Sequence, residues 1–120
     1  MYDHIGLRVK DLGASVRFYE AALAALGYTL CSRDASGAGL GPKGEPALWL
    51  HASSGAAGSG AHVAFKASTR DAVDRFHVVG LAAGGRSHGE PGLRPDYGPT
   101  YYAAFLVDPD GNNVEAVCMR

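Results

Sequence analysis

An α+β fold made of two βαβββ modules in one domain is what the sequence predicts, on three observations. Strand-like and helix-like stretches occur twice in the same order. The first part of the chain repeats itself without a gap. Glycine- and proline-rich turns punctuate both halves at corresponding places. At 120 residues the chain suits one domain with a real core and is too short for two independent ones.

The first module is expected over residues 1–54. His4–Val9 reads as a strand, and Asp11 is placed to cap a helix whose apolar residues Leu12, Val16, Tyr19, Leu23 and Leu26 recur at helical spacing. Gly27 closes that helix. Strands are expected at Tyr28–Arg33, near Ala38–Leu40 and at Ala47–His51, separated by turn residues that include Gly41-Pro42 and Gly44. Further glycines at 55–60 mark a turn into the second module, expected over 61–120. There His62–Ala67 is a strand, and Ser68 or Thr69 caps a helix that ends at Gly84-Gly85. A short strand around Arg86–His88, a long loop from Gly89 to Thr100, and strands at Tyr101–Val107 and Asn113–Met119 complete the module. The last two strands flank the turn Asp108-Pro109-Asp110-Gly111.

Shifted by 58 positions, residues 3–27 align with 61–85. His4 meets His62, Ala14 meets Ala72, Arg17-Phe18 meets Arg75-Phe76, Leu23-Ala24-Ala25 meets Leu81-Ala82-Ala83, and Gly27 meets Gly85. Eight identities in twenty-five ungapped positions make duplication the economical explanation. With the longer loop allowed for, Leu48-Trp49-Leu50 aligns with Val114-Glu115-Ala116, so Trp49 and Glu115 become equivalent.

Composition narrows the function classes. Eleven Lys and Arg against twelve Asp and Glu give a net charge of −1 with no basic run, which argues against a nucleic-acid partner. No stretch of about 18 apolar residues is present to cross a membrane, and the charged residues within MYDHIGLRVKD are unlike a secretory signal, so a cytoplasmic location is expected. Cys31 and Cys118 stand far apart without a CxxC pattern and are expected to be reduced, structural thiols.

Pseudo-twofold symmetry places equivalent positions near its axis, so His4 and His62 are expected to face one another with Trp49 and Glu115 beside them. Two imidazoles and a carboxylate suit a metal that keeps open positions: iron(II), or zinc, nickel, cobalt or manganese. Glu115 sits among Val114, Ala116 and Val117, where a buried carboxylate needs a partner to offset its desolvation.

Nearly the whole chain resembles the vicinal oxygen chelate superfamily, which includes glyoxalase I, extradiol dioxygenases and bleomycin-resistance proteins. The resemblance is carried by Asp3-His4-Ile5-Gly6-Leu7-Arg8-Val9 with Phe18-Tyr19, by His62-Val63-Ala64-Phe65, and most specifically by Asp108-Pro109-Asp110-Gly111-Asn112-Asn113-Val114-Glu115. It implies mixed sheets curled around a central cavity, one divalent metal held by His4, His62 and Glu115, and a homodimer whose modules are in some members exchanged between subunits. It also implies a small oxygenated substrate and a lyase, isomerase or ring-cleaving dioxygenase reaction. Typical glyoxalase I is disfavoured, because that enzyme has a fourth, carboxylate ligand where this chain aligns Trp49. The alternative is a metal-free, bleomycin-resistance-like protein that sequesters a planar or aromatic compound.

Other side chains are candidates for the chemistry. His51 shares strand parity with Trp49, and is either a fourth ligand or proton donor or a histidine satisfied by hydrogen bonds. Trp49 is a pocket wall or ordinary core. In the surplus loop Arg94 suits a substrate carboxylate or phosphate, or a structural bond to Asp96 or a carbonyl. Tyr97, Tyr101 and Tyr102 are candidates to wall a pocket or give a proton. His77 and His88 are read as structural or exposed.

Overall fold

The computed structural model of the chain describes residues 1–55 and 60–120, so the turn expected across 55–60 lies largely outside the described residues. Module one comprises β1 (Ile5–Val9), α1 (Leu12–Ala24), β2 (Thr29–Arg33), β3 (Gly37–Gly41) and β4 (Leu48–Ala52). Module two comprises β5 (His62–Lys66), α2 (Arg70–Ala82), β6 (Arg86–Leu93), β7 (Tyr102–Val107) and β8 (Asn113–Cys118). Each module forms a mixed four-stranded sheet, in the orders β1-β4-β3-β2 and β5-β8-β7-β6. The first strand runs parallel to the last and the remaining pairs are antiparallel.

Both helices begin where side-chain caps are available. Asp11 accepts from the Ala14 amide and Thr69 from the Ala72 amide, each satisfying a first-turn donor that has no partner within the helix. Of the two expected caps for α2, Thr69 therefore serves. Gly27 and Gly84 follow the helices with φ of 89° and 105°, a left-handed turn that glycine makes without a Cβ clash.

Register bears out the duplication at atomic detail. Gly6 pairs with Trp49 as Ala64 pairs with Glu115, so Trp49 and Glu115 are structural equivalents. The helices pack on each other where Gly80 faces its repeat partner Ala22: a Cβ built on Gly80 would lie 3.6 Å from the Ala22 Cβ. Phe18 reaches across to Gly85, where a Cβ would come within 2.4 Å of its ring. One continuous core results, with Val9, Phe18, Leu23 and Leu50 of module one joined to Val73, Phe76, Leu106 and Val114 of module two.

A second junction was not legible as such. The β7–β8 turn of module two docks on α1 of module one. Asp108, 2 % exposed, accepts from the Tyr19 hydroxyl (2.5 Å), the amides of Asp110 (2.9 Å) and Asn112 (2.8 Å), and the Asn112 side-chain amide (3.0 Å). Asp110 accepts from the Lys10 amide and the Ser15 hydroxyl. Burial, with the Asp108 charge and hydrogen bond next, holds the Tyr19 phenol far above its ordinary value, so it stays a neutral donor.

The third strand of module two differs from expectation. β6 runs from Arg86 to Leu93 instead of stopping near His88, which shortens the loop. Pairing with β7 shifts register on both sides of Gly89, whose φ is 156°, and these bulges carry the strand past residues that read as a loop. Pro91 is tolerated because β6 is an edge strand and needs no outward ladder donor there. Cys31 and Cys118 are both free thiols, Cys118 buried. Among the described residues no helix is long and apolar enough to cross a membrane.

Candidate functional site

The helices cover one face of each sheet, and the chemistry-bearing residues lie on the other. In β5 and β8 the alternation puts Val114 and Ala116 in the core, with Val63 on the same face, and His62, Asn113 and Glu115 on the open face. His62 and Glu115 meet there because β5 and β8 are parallel neighbours. The His62 Nε2 is 3.1 Å from Glu115 Oε1, and His62 Nδ1 is 3.2 Å from the Asn113 carbonyl. Tyr101, just before β7, donates to the other carboxylate oxygen, Oε2. Glu115 is thus 2 % exposed yet has a partner on each oxygen, while the His62 side chain is about half exposed at 49 %.

The protonation arithmetic at His62 is informative. Both of its ring nitrogens face acceptors, and a neutral imidazole has only one N–H to give. With the N–H on Nε2, His62 donates to Glu115 Oε1 directly; with the N–H on Nδ1 it serves the Asn113 carbonyl, and the Nε2 lone pair and the carboxylate oxygen then need a cation between them. A proton or a metal ion meets that need. The second of these tautomers, with Nδ1–H on a backbone carbonyl and Nε2 free, is the usual one for a metal-binding histidine. Two ligands each about 2.1 Å from one metal and roughly at right angles would lie about 3 Å apart, close to the distance observed.

The pair opens into a depression of about 280 Å³ lined by His62, Tyr97, Tyr101, Phe105, Asn113 and Glu115. Phe105, the β7 partner of Glu115, stacks beside the His62 ring at 6.4 Å, and Tyr97 meets Tyr101 edge to face at 5.3 Å. Burial, followed by the hydrogen bond and charge of Glu115, pushes the Tyr101 phenol up to about 12. Tyr101 is therefore a neutral hydrogen-bond donor at physiological pH. Asn113 Oδ1 is buried beside the pair without a partner.

Not every expected residue joins this group. His4 bonds Asp3 and lines a different depression, at the β1–β5 junction, with Ile5, Leu48, Val63 and Phe65 among its walls. Among the described residues no three His, Cys, Asp or Glu side chains are clustered as a metal site, so one chain brings together His62 and Glu115 and leaves His4 apart. Trp49 and His51 lie on the open face of module one: the indole spans Gly39, where a Cβ would be 2.8 Å from it, and the His51 ring lies over Gly6. Tyr102 points the other way from Tyr101, donating to Asp74 on α2 at 2.6 Å beneath the Arg70 guanidinium. It buttresses the helix and does not line the His62 depression. Phe105 and Asn113 were missed by sequence reading, although both follow from strand parity once Glu115 is placed. His77 is structural, buried and bonded to the Ser87 hydroxyl at 2.9 Å.

Residues 2–116 match the Glyoxalase/Bleomycin resistance protein/Dioxygenase superfamily. The chain belongs to that superfamily. No curated protein matches. Among solved structures, a glyoxalase/bleomycin resistance protein from Albidiferax ferrireducens is 31% identical with a TM-score of 0.82, the match covering 100% of this chain and 99% of that one. A glyoxalase I mutant from Zea mays is 29% identical with a TM-score of 0.72; the match covers 96% of this chain and 44% of the maize chain. A glyoxalase/bleomycin resistance protein/dioxygenase family enzyme from Burkholderia phytofirmans shares the fold at 21% identity, with a TM-score of 0.75 and 98% of each chain covered. Membership in the superfamily, with its two-module architecture, is thus established by residues distributed over almost the full length.

Proposed function

We propose that this chain is a divalent-metal-dependent enzyme of the superfamily, acting on a small oxygenated substrate. One observation carries the reading: His62 Nε2 and Glu115 Oε1 lie 3.1 Å apart at an open depression, a spacing that suits two ligands of one metal ion. His62 and Glu115 would hold the metal, with iron, zinc, nickel, cobalt and manganese all compatible with the donor set. When bound, it would polarise a carbonyl or a pair of neighbouring oxygens on the substrate. Tyr101 keeps Glu115 in place and supplies a neutral hydroxyl at the rim, while Tyr97 and Phe105 line the same depression. Lyase, isomerase and ring-cleaving dioxygenase chemistry are all open to this arrangement. The position equivalent to Glu115 in module one is Trp49, which offers no second carboxylate for a glyoxalase I type of proton transfer.

The third ligand in this reading is His4 of a second copy of the chain. His4 is exposed, on an open sheet face that a homodimer would cover, and it is apart from His62 and Glu115 in a single chain. A second reading, a metal-free binding protein, has its own supporting observation: both Glu115 oxygens already have protein partners, so a protonated His62 suffices to balance the carboxylate.

Metal content by plasma mass spectrometry on untagged protein separates the two. Near-stoichiometric metal, lost in His62→Ala and Glu115→Ala, is expected for the enzyme. No metal bound after reconstitution with each candidate ion would leave the binding protein. Mixing His4→Ala with Glu115→Ala subunits tests the composite site, because only a shared site regenerates an intact one.

A further inference from the structure

Beside the His62–Glu115 depression lies a second of about 300 Å³, lined by His88, Gly89, Arg94, Tyr97, Phe105 and Asn113. The two share Tyr97, Phe105 and Asn113, so they form one continuous trough. Its far end is built around Arg94. The Arg94 amide donates to the Tyr101 carbonyl at 2.8 Å, and its own carbonyl accepts from Tyr97 at 2.9 Å, which fixes the residue at the root of a closed turn. The guanidinium lies 5.4 Å over the Phe105 ring, and Nη2 donates to the Glu90 carbonyl at 2.6 Å.

Two glycines make room for that pose. A Cβ on Gly89 would approach Nη2 to 3.2 Å, and one on Gly92 would approach Nη1 to 3.2 Å. The guanidinium is therefore cradled flat on β6. It is half-buried, yet among the described residues no carboxylate pairs with it, and Asp96 is exposed elsewhere on the turn. Among the described residues, Nη2 is the one guanidinium nitrogen with a hydrogen-bond partner. A fixed, half-buried cation with free donors at one end of a trough is the arrangement that recognises an oxyanion. With a net chain charge of −1 there is no general attraction for anions to confuse with it.

We propose that Arg94 forms an oxyanion subsite: it binds a carboxylate or phosphate group of the substrate, with Tyr97 and Phe105 against the flat part of the molecule and the opposite, oxygen-bearing end at His62 and Glu115. The substrate class is then a small planar or unsaturated molecule carrying an acidic group. The assignment of the reacting end rests on the proposed function, whereas the anion subsite stands on Arg94 alone.

The test is titration of the ¹⁵N-labelled full chain in chelator, without metal, using benzoate, phenyl phosphate and the neutral benzyl alcohol as probes. Benzoate or phenyl phosphate is expected to shift the Gly89 and Gly92 backbone amide signals and the Arg94 side-chain signals saturably, at least tenfold more tightly than benzyl alcohol. Response to only one of the two anions identifies the group. Arg94→Met should weaken the anion at least tenfold, and Arg94→Lys less. Retained signal dispersion in Arg94→Met reports that it folds; should it not fold, Arg94→Lys, with its charge but no fork, carries the comparison. Equal binding of the alcohol, undiminished anion binding in folded Arg94→Met, undiminished binding in Arg94→Lys where Arg94→Met does not fold, or no anion response up to about 20 mM would overturn the subsite. Since metal is excluded, failure of the metal reading would show in metal content and leave this result untouched.

Discussion

Replacing Tyr19 by phenylalanine tests the junction between the modules with a single atom. The ring is 1 % exposed and packs edge to face on Phe18 at 4.9 Å, so phenylalanine keeps the packing and loses only the hydroxyl. What disappears is the one hydrogen bond to Asp108 that comes from module one. The other three acceptor contacts of that carboxylate arise within its own turn. A hydrogen bond to a buried charged group contributes about 1.5–3 kcal/mol. Because phenylalanine leaves no orphaned donor and Asn112 still serves Oδ2, the expected loss is about 2 kcal/mol. For a domain of this size that is roughly 6–10 °C in Tm. Urea unfolding followed by fluorescence and circular dichroism should show a lower midpoint at unchanged slope. Tyr97→Phe, at an exposed ring, serves as the control and should be nearly neutral. A Tyr19→Phe midpoint within about 0.5 kcal/mol of the wild type would refute the view that the Asp108 turn latches the modules together.

Three further outcomes are expected. Tyr19 titrates higher in the folded chain than in the unfolded one, so its contribution is complete below the unfolded value near 10 and lost as pH rises above it; the alkaline fall in stability should be shallower in Tyr19→Phe, measured as urea midpoints from pH 8 to 11. Gly80→Ala sets propensity against packing: alanine favours a helix by about 1 kcal/mol, yet its Cβ would lie 2.3 Å from the Leu106 Cδ1. We expect net destabilisation of about 1–2 kcal/mol, and a more stable variant would show that the helices have room to part. Tyr101→Phe removes the partner of Glu115 Oε2 and, on the proposed function, should lower metal affinity about 10–100-fold in competition titrations with the fold intact. Unchanged affinity would mean that Tyr101 does not position the carboxylate.

Local and repetitive features were legible in the sequence. The cap Asp11, a second cap at Ser68 or Thr69, the glycine stops after both helices and the order of ten elements follow from spacing and turn chemistry, which act over a few residues. The duplication added something longer in range. It made Trp49 and Glu115 equivalent, as the register bears out, and it placed Glu115 near His62. β6 was underestimated since its glycines and Pro91 read as a loop wherever the edge position of the strand is unknown.

What the sequence by itself determined is therefore the superfamily fold, its two modules and the proximity of His62 and Glu115. Only the tertiary structure decided that Tyr101 faces the carboxylate while Tyr102 buttresses α2, that Arg94 lies in a glycine cradle at the end of the trough, and that the Asp108 turn grips α1. It also separated His4 from the pair within one chain. The physical reason is that periodicity says which face of an element a side chain occupies, but the partner it meets there, whether 14 residues away as Glu115 is from Tyr101 or 89 as Asp108 is from Tyr19, is fixed only when the elements pack against each other.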